Sequence, residues 1–262
     1  MSLDRSAALR REYAEVASFC RQLSDEEWRT PSAAPGWRVQ DVVAHLGASS
    51  RAIFTPTSLK LLASKDIERT NDELVARRRD WRPARVLAEF EQWGRRLGTL
   101  AGALGRTPVA GLRLPLGELG RFPASVLLNS AFVFDQHTHL RYDIAPALGR
   151  PVPRSDELRV AVVLEWMFAV LANQLRAARP AWLVRPIAVS LSGPGGGRWR
   201  VGVDGSIAED PVGAGDTAAH IAGTALEFPG WATTRTPWRE RDVRIEGDAA
   251  LAGALLDSMN VV

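Results

Sequence analysis

The sequence predicts an α+β protein: an N-terminal four-helix bundle followed by a small α+β domain with a mainly antiparallel sheet. Three observations carry this. Across residues 1–150, apolar side chains recur at helical spacing, as in Leu9, Tyr13, Val16, Phe19 and Leu23. Gly149-Arg150-Pro151-Val152-Pro153 then breaks the pattern with two prolines. Beyond it apolar residues alternate, first at Ile187, Val189 and Leu191, then at Trp199, Val201 and Val203. The expected domains are residues 1–150 and 155–262.

In chain order, Ser24-Asp25-Glu26-Glu27 reads as a cap opening a short helix that carries Trp28. A second long helix starts near Val39, with Val42, Val43, Leu46 and Ile53 on its stripe, and Pro56 ends it. Polar residues dominate from Lys65 to Asp80. A third helix begins at Pro83, suited to a first turn, and runs through Val86, Phe90, Trp93, Leu97 and Leu100. Gly105 to Gly120 reads as a loop, and a fourth long helix spans Pro123 to Ala145. After the linker, one helix covers Asp156 to Ala178. Gly193-Pro194-Gly195-Gly196-Gly197 is followed by a strand rather than a helix, so it reads as a hairpin turn and not a phosphate loop. Asp204-Gly205 is a second turn. Asp216 is expected to cap a helix ending at Pro229-Gly230, Val243 and Ile245 form a short strand, and Asp248 opens the last helix.

The chain has 262 residues, 46% hydrophobic and 24% charged, which is the balance of a folded globular protein. Its single cysteine, Cys20, excludes an internal disulfide and a cysteine-based zinc knuckle, and is expected in the core of the first helix. Net charge is +3, and Arg77-Arg78-Arg79 and Arg95-Arg96 lie among acids, as on solvated helix faces, so no nucleic-acid partner is expected. The N-terminus lacks an apolar leader, and the apolar run Val160 to Ala172 is broken by Glu165 and short of the ~20 residues a span needs. These readings predict a soluble, cytoplasmic chain with no membrane partner.

The candidate chemistry lies with the histidines. At ~100° per residue, Ala124, Leu128, Phe132, Asp135, His139 and Tyr142 share one face of the fourth helix. Asp135 and His139 therefore continue an apolar stripe and point inward, one above the other. His137 falls opposite and is expected in solvent. His45 lies at the edge of the second helix's stripe. His220, on the helix expected after Asp216, reads as a surface or internally bonded histidine. Buried acid and imidazole groups require pairing or a cation. Two arrangements satisfy that: a divalent-metal site of His45, Asp135 and His139 with open positions, or a buried Asp135–His139 ion pair with His45 bonded elsewhere.

Pro35-Gly36-Trp37-Arg38-Val39-Gln40-Asp41-Val42-Val43-Ala44-His45-Leu46 resembles the signature of the mycothiol-dependent maleylpyruvate isomerase family. Residues Asn71 to Arg78, Asp143 to Pro151, Gly195 to Trp199 and Val243 to Asp248 resemble it too, so the likeness covers most of the chain. It implies a DinB-like metal-binding bundle followed by a sterol-carrier-like domain. Its metal ligands carry over to His45, Asp135 and His139, with Asp135 where the family's isomerases carry Glu. Asp143 is placed to orient the second ring nitrogen of His139. Arg235 resembles a C-terminal arginine that the family's enzymes place in their interdomain cleft, a candidate catalytic residue that would hold a substrate carboxylate.

The resemblance implies an enzyme: a metal-dependent, thiol-using isomerase or S-transferase acting on a small electrophilic substrate. Its cofactor would be a divalent metal, zinc, and its cosubstrate mycothiol or a similar thiol. The oligomeric state expected is monomer or homodimer. A metal-dependent hydrolase on the same bundle, or a non-catalytic binding or regulatory protein that kept the fold, remain the alternatives.

Overall fold

The structure, a computed structural model, describes residues 3–213 and 215–261. The chain divides into two compact units, Met1–Ser155 and Asp156–Val262.

In the first unit, α1 (Arg5–Cys20) is capped by the Asp4 carboxylate, which accepts from the Ala7 amide. The short α2 (Asp25–Arg29) opens with a reciprocal Ser24–Glu27 capping box. Then come α3 (Val39–Ala52), α4 (Thr57–Leu62), α5 (Ile67–Ala76) and α6 (Pro83–Leu104), with Pro83 in the first turn of α6. The fourth long helix is α7 (Ala131–Thr138), continuous with π-helical turns before it (Val126–Ser130) and after it (His139–Ile144). Helix α3 is buried on nearly every side, packing against α5 and α6. Close approach is enforced by glycine: a Cβ at Gly94 would lie 2.1 Å from the Tyr13 ring, and one at Gly47 would lie 3.1 Å from the Phe90 amide. Leu9, Val16, Val42, Val43, Leu46, Phe90, Leu97 and Leu140 fill the core between these helices.

Three features of this unit are not visible in its sequence pattern. Residues 65–80 contain α5, whose N-cap Asp66 accepts from Arg69 and which buries only Leu74 and Val75; that is too little apolar surface to stand out in a polar stretch. The expected loop Gly105 to Gly120 leads into a two-stranded hairpin, β1 (Arg113–Pro115) with β2 (Arg121–Pro123). Arg78 is not on a solvated face: it is buried against Glu89, which also meets Arg51. A desolvated guanidinium is tolerable only with such a partner.

In the second unit, α8 (Glu157–Ala178) starts at Asp156, whose carboxylate accepts from the Arg159 amide. The strands are β3 (Ile187–Ser192), β4 (Gly197–Val201), β5 (Ile207–Glu209), β6 (Ala219–Thr224) and β7 (Arg244–Gly247). They form one sheet in the order β5-β4-β3-β6-β7, antiparallel except for the β3–β6 pair. Helix α9 (Phe228–Ala232) follows β6, and α10 (Ala249–Ser258) is capped by Asp248. The glycine cluster is the β3–β4 turn. Gly195 takes φ +69°, and a Cβ there would lie 2.5 Å from the Glu157 carbonyl oxygen, so the turn requires glycine twice over. On the core face of the sheet, Trp199, Phe168, Phe228 and Trp231 form a chain of ring contacts.

The helix expected after Asp216 is instead strand β6, which pairs on both edges. Its alanines favour a helix locally, but two sets of ladder hydrogen bonds override that preference. Helix α8 also extends beyond the apolar run read in the sequence. By length and composition it could cross a membrane, yet 67% of its apolar window is buried within the protein, as in a core helix.

Candidate metal centre

The cluster forms where α3 faces the fourth helix. Arg38 fixes the start of α3, its guanidinium donating to both oxygens of Asp41 at 2.9 and 3.0 Å while its own amide donates to the same carboxylate. One and a half turns on, His45 points at the fourth helix. Its Nε2 lies 3.2 Å from the Asp135 carboxylate, and the Nε2 of His139 lies 3.3 Å from the same group. One ligand atom from each of the three residues falls within 4.8 Å of the others. The structure thus brings together the three residues picked out in the sequence.

This donor set fits a divalent ion. With ligand bonds of about 2.0–2.1 Å, two donors in a tetrahedral shell stand about 3.3 Å apart, the spacing found between Asp135 and each imidazole. Behind His139, its Nδ1 lies 2.7 Å from the buried Asp143 carboxylate. A carboxylate only accepts, so Nδ1 carries a proton and Nε2 is aimed into the cluster. The Nδ1 of His45 is buried and has no hydrogen-bond partner among the described residues.

Electrostatics follow from these contacts. Burial alone would raise the Asp135 pKa, but His45 and His139 outweigh it and hold the carboxyl well below its usual range. Burial alone would lower that of His139, but Asp135 and Asp143 hold its proton and push the pKa up to about 9. In the metal-free protein, therefore, His139 holds its second proton on the side facing the Asp135 carboxylate, the proton a bound ion would displace.

Trp37 walls the cluster, a contact that periodicity could not reveal. Its ring centroid lies 5.2 Å from that of His45 and 6.3 Å from that of His139. Gly36, at φ +78°, turns the chain into this position, and the Trp37 indole N–H donates to Asp72 on α5 at 2.9 Å. The same loop is tied to the fourth helix, the Ala33 amide donating to the Asp143 carbonyl.

The remaining candidates separate. His137 is 1% exposed, not solvated, because residues 126–145 are buried on both sides of the helix. His220 lies on strand β6, with Nε2 2.8 Å from Ser190 Oγ and Nδ1 3.5 Å from Glu246. Arg235 belongs to the second unit, half-buried in the turn after α9. Cys20 is buried, and desolvation pushes its thiol up to about 12. A groove of about 1020 Å3 runs between α1 and α6, past Tyr13, Gly94 and Asn129; none of the three cluster residues lines it.

Fold and site together define a class: a helical bundle carrying a two-histidine, one-carboxylate cluster, joined to an α+β unit. Residues 9–123 match the family described as mycothiol maleylpyruvate isomerase N-terminal domain. That stretch includes His45 and Trp37 and stops short of Asp135. The chain is also similar to the crystal structure of the mycothiol-dependent maleylpyruvate isomerase, at 14% identity and TM-score 0.57 over 90% of this chain and 93% of that one. A histidine-to-alanine mutant of that isomerase is similar at 13% identity and TM-score 0.53, over 94% and 96%. At such identities the likeness is one of fold. No curated protein matches the chain. The resemblance read in the sequence is present in both the family match and the fold.

Proposed function

We propose that the protein is a metal-dependent, mycothiol-using isomerase or S-transferase of the cytoplasm, acting on a small electrophilic, carboxylate-bearing substrate. His45, Asp135 and His139 would hold the metal, zinc. The observation that carries this reading is the convergence of their donor atoms within 4.8 Å, with Asp143 fixing the second nitrogen of His139. Bound there, a divalent ion would lower the pKa of a thiol enough to give thiolate at neutral pH.

The chain's own groups define the rest. Asp143 keeps the proton on His139 Nδ1, so Nε2 stays free for the ion. Trp37 closes one side and limits water beside the two imidazoles. The protein's single thiol is buried and held protonated, so the nucleophile has to be an external small thiol. Its thiolate adds to an electrophilic carbon. If the adduct persists, the product is a thioether; if it rotates and eliminates the thiol, the product is a cis–trans isomer.

The test is cobalt substitution followed by thiol addition. A sulfur-to-metal charge-transfer band with mycothiol, absent in His139→Ala, is the expected result. No band, together with turnover that does not require thiol, would move the assignment to a metal-dependent hydrolase.

A further inference from the structure

The second unit carries its own histidine cluster, on the sheet face opposite the aromatic core. Strand register puts it there. Ile187, Val189 and Leu191 of β3 are buried on the core face, so Ser190 points to the other side. His220 pairs with Ala188 on β3 and with Glu246 on β7, which places all three polar residues on that outer face. Across β4, the direct partner of Ser190 is Arg198. Four neighbouring strands thus contribute Arg198, Ser190, His220 and Glu246, in that order.

The hydrogen bonds within this row have a direction. The Glu246 carboxylate can only accept, so its contact with His220 at 3.5 Å places the imidazole proton on Nδ1. With that proton on Nδ1, Nε2 is the nitrogen that faces Ser190, whose Oγ lies 2.8 Å from it. Ser192, next on the same face, is committed differently: its hydroxyl donates to the Gly223 carbonyl. Arg198 is half-buried and committed elsewhere: its Nε lies 4.0 Å from the Asp210 carboxylate.

We propose that Ser190, His220 and Glu246 form a second, metal-independent acyl-transfer site that takes small activated esters and thioesters. Ser190 Oγ attacks the carbonyl carbon while its proton passes to His220 Nε2. The carbon–oxygen or carbon–sulfur bond then breaks, and the leaving group departs with that proton. Water then attacks the acyl carbon and gives a proton to His220 Nε2; the bond from that carbon to Oγ breaks, the proton passes to Oγ, and Ser190 is restored. The balance is ester plus water to acid plus alcohol or thiol. Glu246 acts through His220 by holding its tautomer, so it is a positioning residue.

The experiment uses the full-length protein, with and without chelator, and two probes: a fluorophosphonate and 4-nitrophenyl acetate. The expected result is one fluorophosphonate per chain, mapped to Ser190, together with a nitrophenolate burst matched by one acetyl group on the same serine, both unaffected by chelator. Loss of the general base should slow both about 100-fold or more in His220→Gln. Glu246→Gln should slow acylation less, and Glu246→Asp should recover part of it, which a merely structural contact would not do. Labelling that maps to another serine, that does not occur, or that keeps its rate in His220→Gln overturns the proposal. Because the readout needs neither metal nor added thiol, it stands or falls apart from the bundle's chemistry.

Discussion

The two histidine–carboxylate clusters use the same side-chain types at similar distances, and burial separates them. In the bundle, Asp143 is 2% exposed and His139 12%; on the sheet, Glu246 is 80% exposed and His220 26%. Opposite unit charges 4 Å apart attract by roughly 1 kcal/mol in water and roughly 4 kcal/mol at the lower effective dielectric near a protein surface. The bundle therefore concentrates negative charge on two converging imidazoles, an arrangement suited to a cation. The sheet gives one imidazole a solvated carboxylate within hydrogen-bond reach. The same residue types thus meet very different surroundings, set by how much water reaches the acid.

The largest expected difference between the clusters is in metal binding. His45→Ala and His139→Ala should each lower affinity at least about 100-fold with helical content retained, while His220→Ala should bind a full equivalent, measured by metal analysis of dialysed protein. A smaller step isolates the carboxylate behind the ligand. Asp143→Asn should cost about 10–100-fold in affinity, whereas Glu246→Gln should leave metal content unchanged. His137→Ala separates position on the helix from burial: it should keep its metal but lose about 1–3 kcal/mol in denaturant unfolding, since the ring is buried.

The next expectation concerns pH in the metal-free protein. His139, raised from 6.5 to about 9, contributes stability that is fully present below pH 6.5 and is lost as pH rises through about 9. Asp135, lowered from 3.8, contributes stability present above that value and lost as pH falls through its folded pKa. The melting temperature of the metal-free protein should therefore decline from pH 6.5 toward 9. Metal loading should reverse that trend, because the ion displaces the proton on His139 and binds more weakly as pH falls. A melting temperature that does not move over this range, with and without metal, would break the electrostatic half of the comparison. The smallest expected effect is none: with its thiol at about 12, Cys20 should resist iodoacetamide at pH 8 in the folded protein and react once unfolded.

Much of the bundle was legible in the sequence because its signals are local. The stripe through Asp135 and His139, the Ser24–Glu27 box and the Pro83 start all lie within a few turns of one helix. What stayed hidden depends on residues distant in sequence. Helical periodicity puts His137 opposite the apolar stripe, on the face that is wet in an ordinary amphipathic helix, yet here the ring is buried. Asp216 followed by alanines looked like a helix start, although Ala219 and Ile221 alternate with His220 and Ala222, a period-2 pattern that the ladders on both edges of β6 enforce. The bond from Trp37 to Asp72 spans 35 residues, and neither partner announces it.

That bond gives the protein an optical consequence. The Trp37 indole is held by Asp72 at a fixed attitude, its centroid 5.2 Å from the His45 ring. A paramagnetic ion between the imidazoles would sit within collisional distance of this fluorophore and drain its excited state. Although the chain has nine tryptophans, the part of its emission that responds to cobalt should belong to this one. Trp37→Phe should then bind the ion in the dark, which makes the loop after Pro35 a built-in indicator of whether the bundle is loaded.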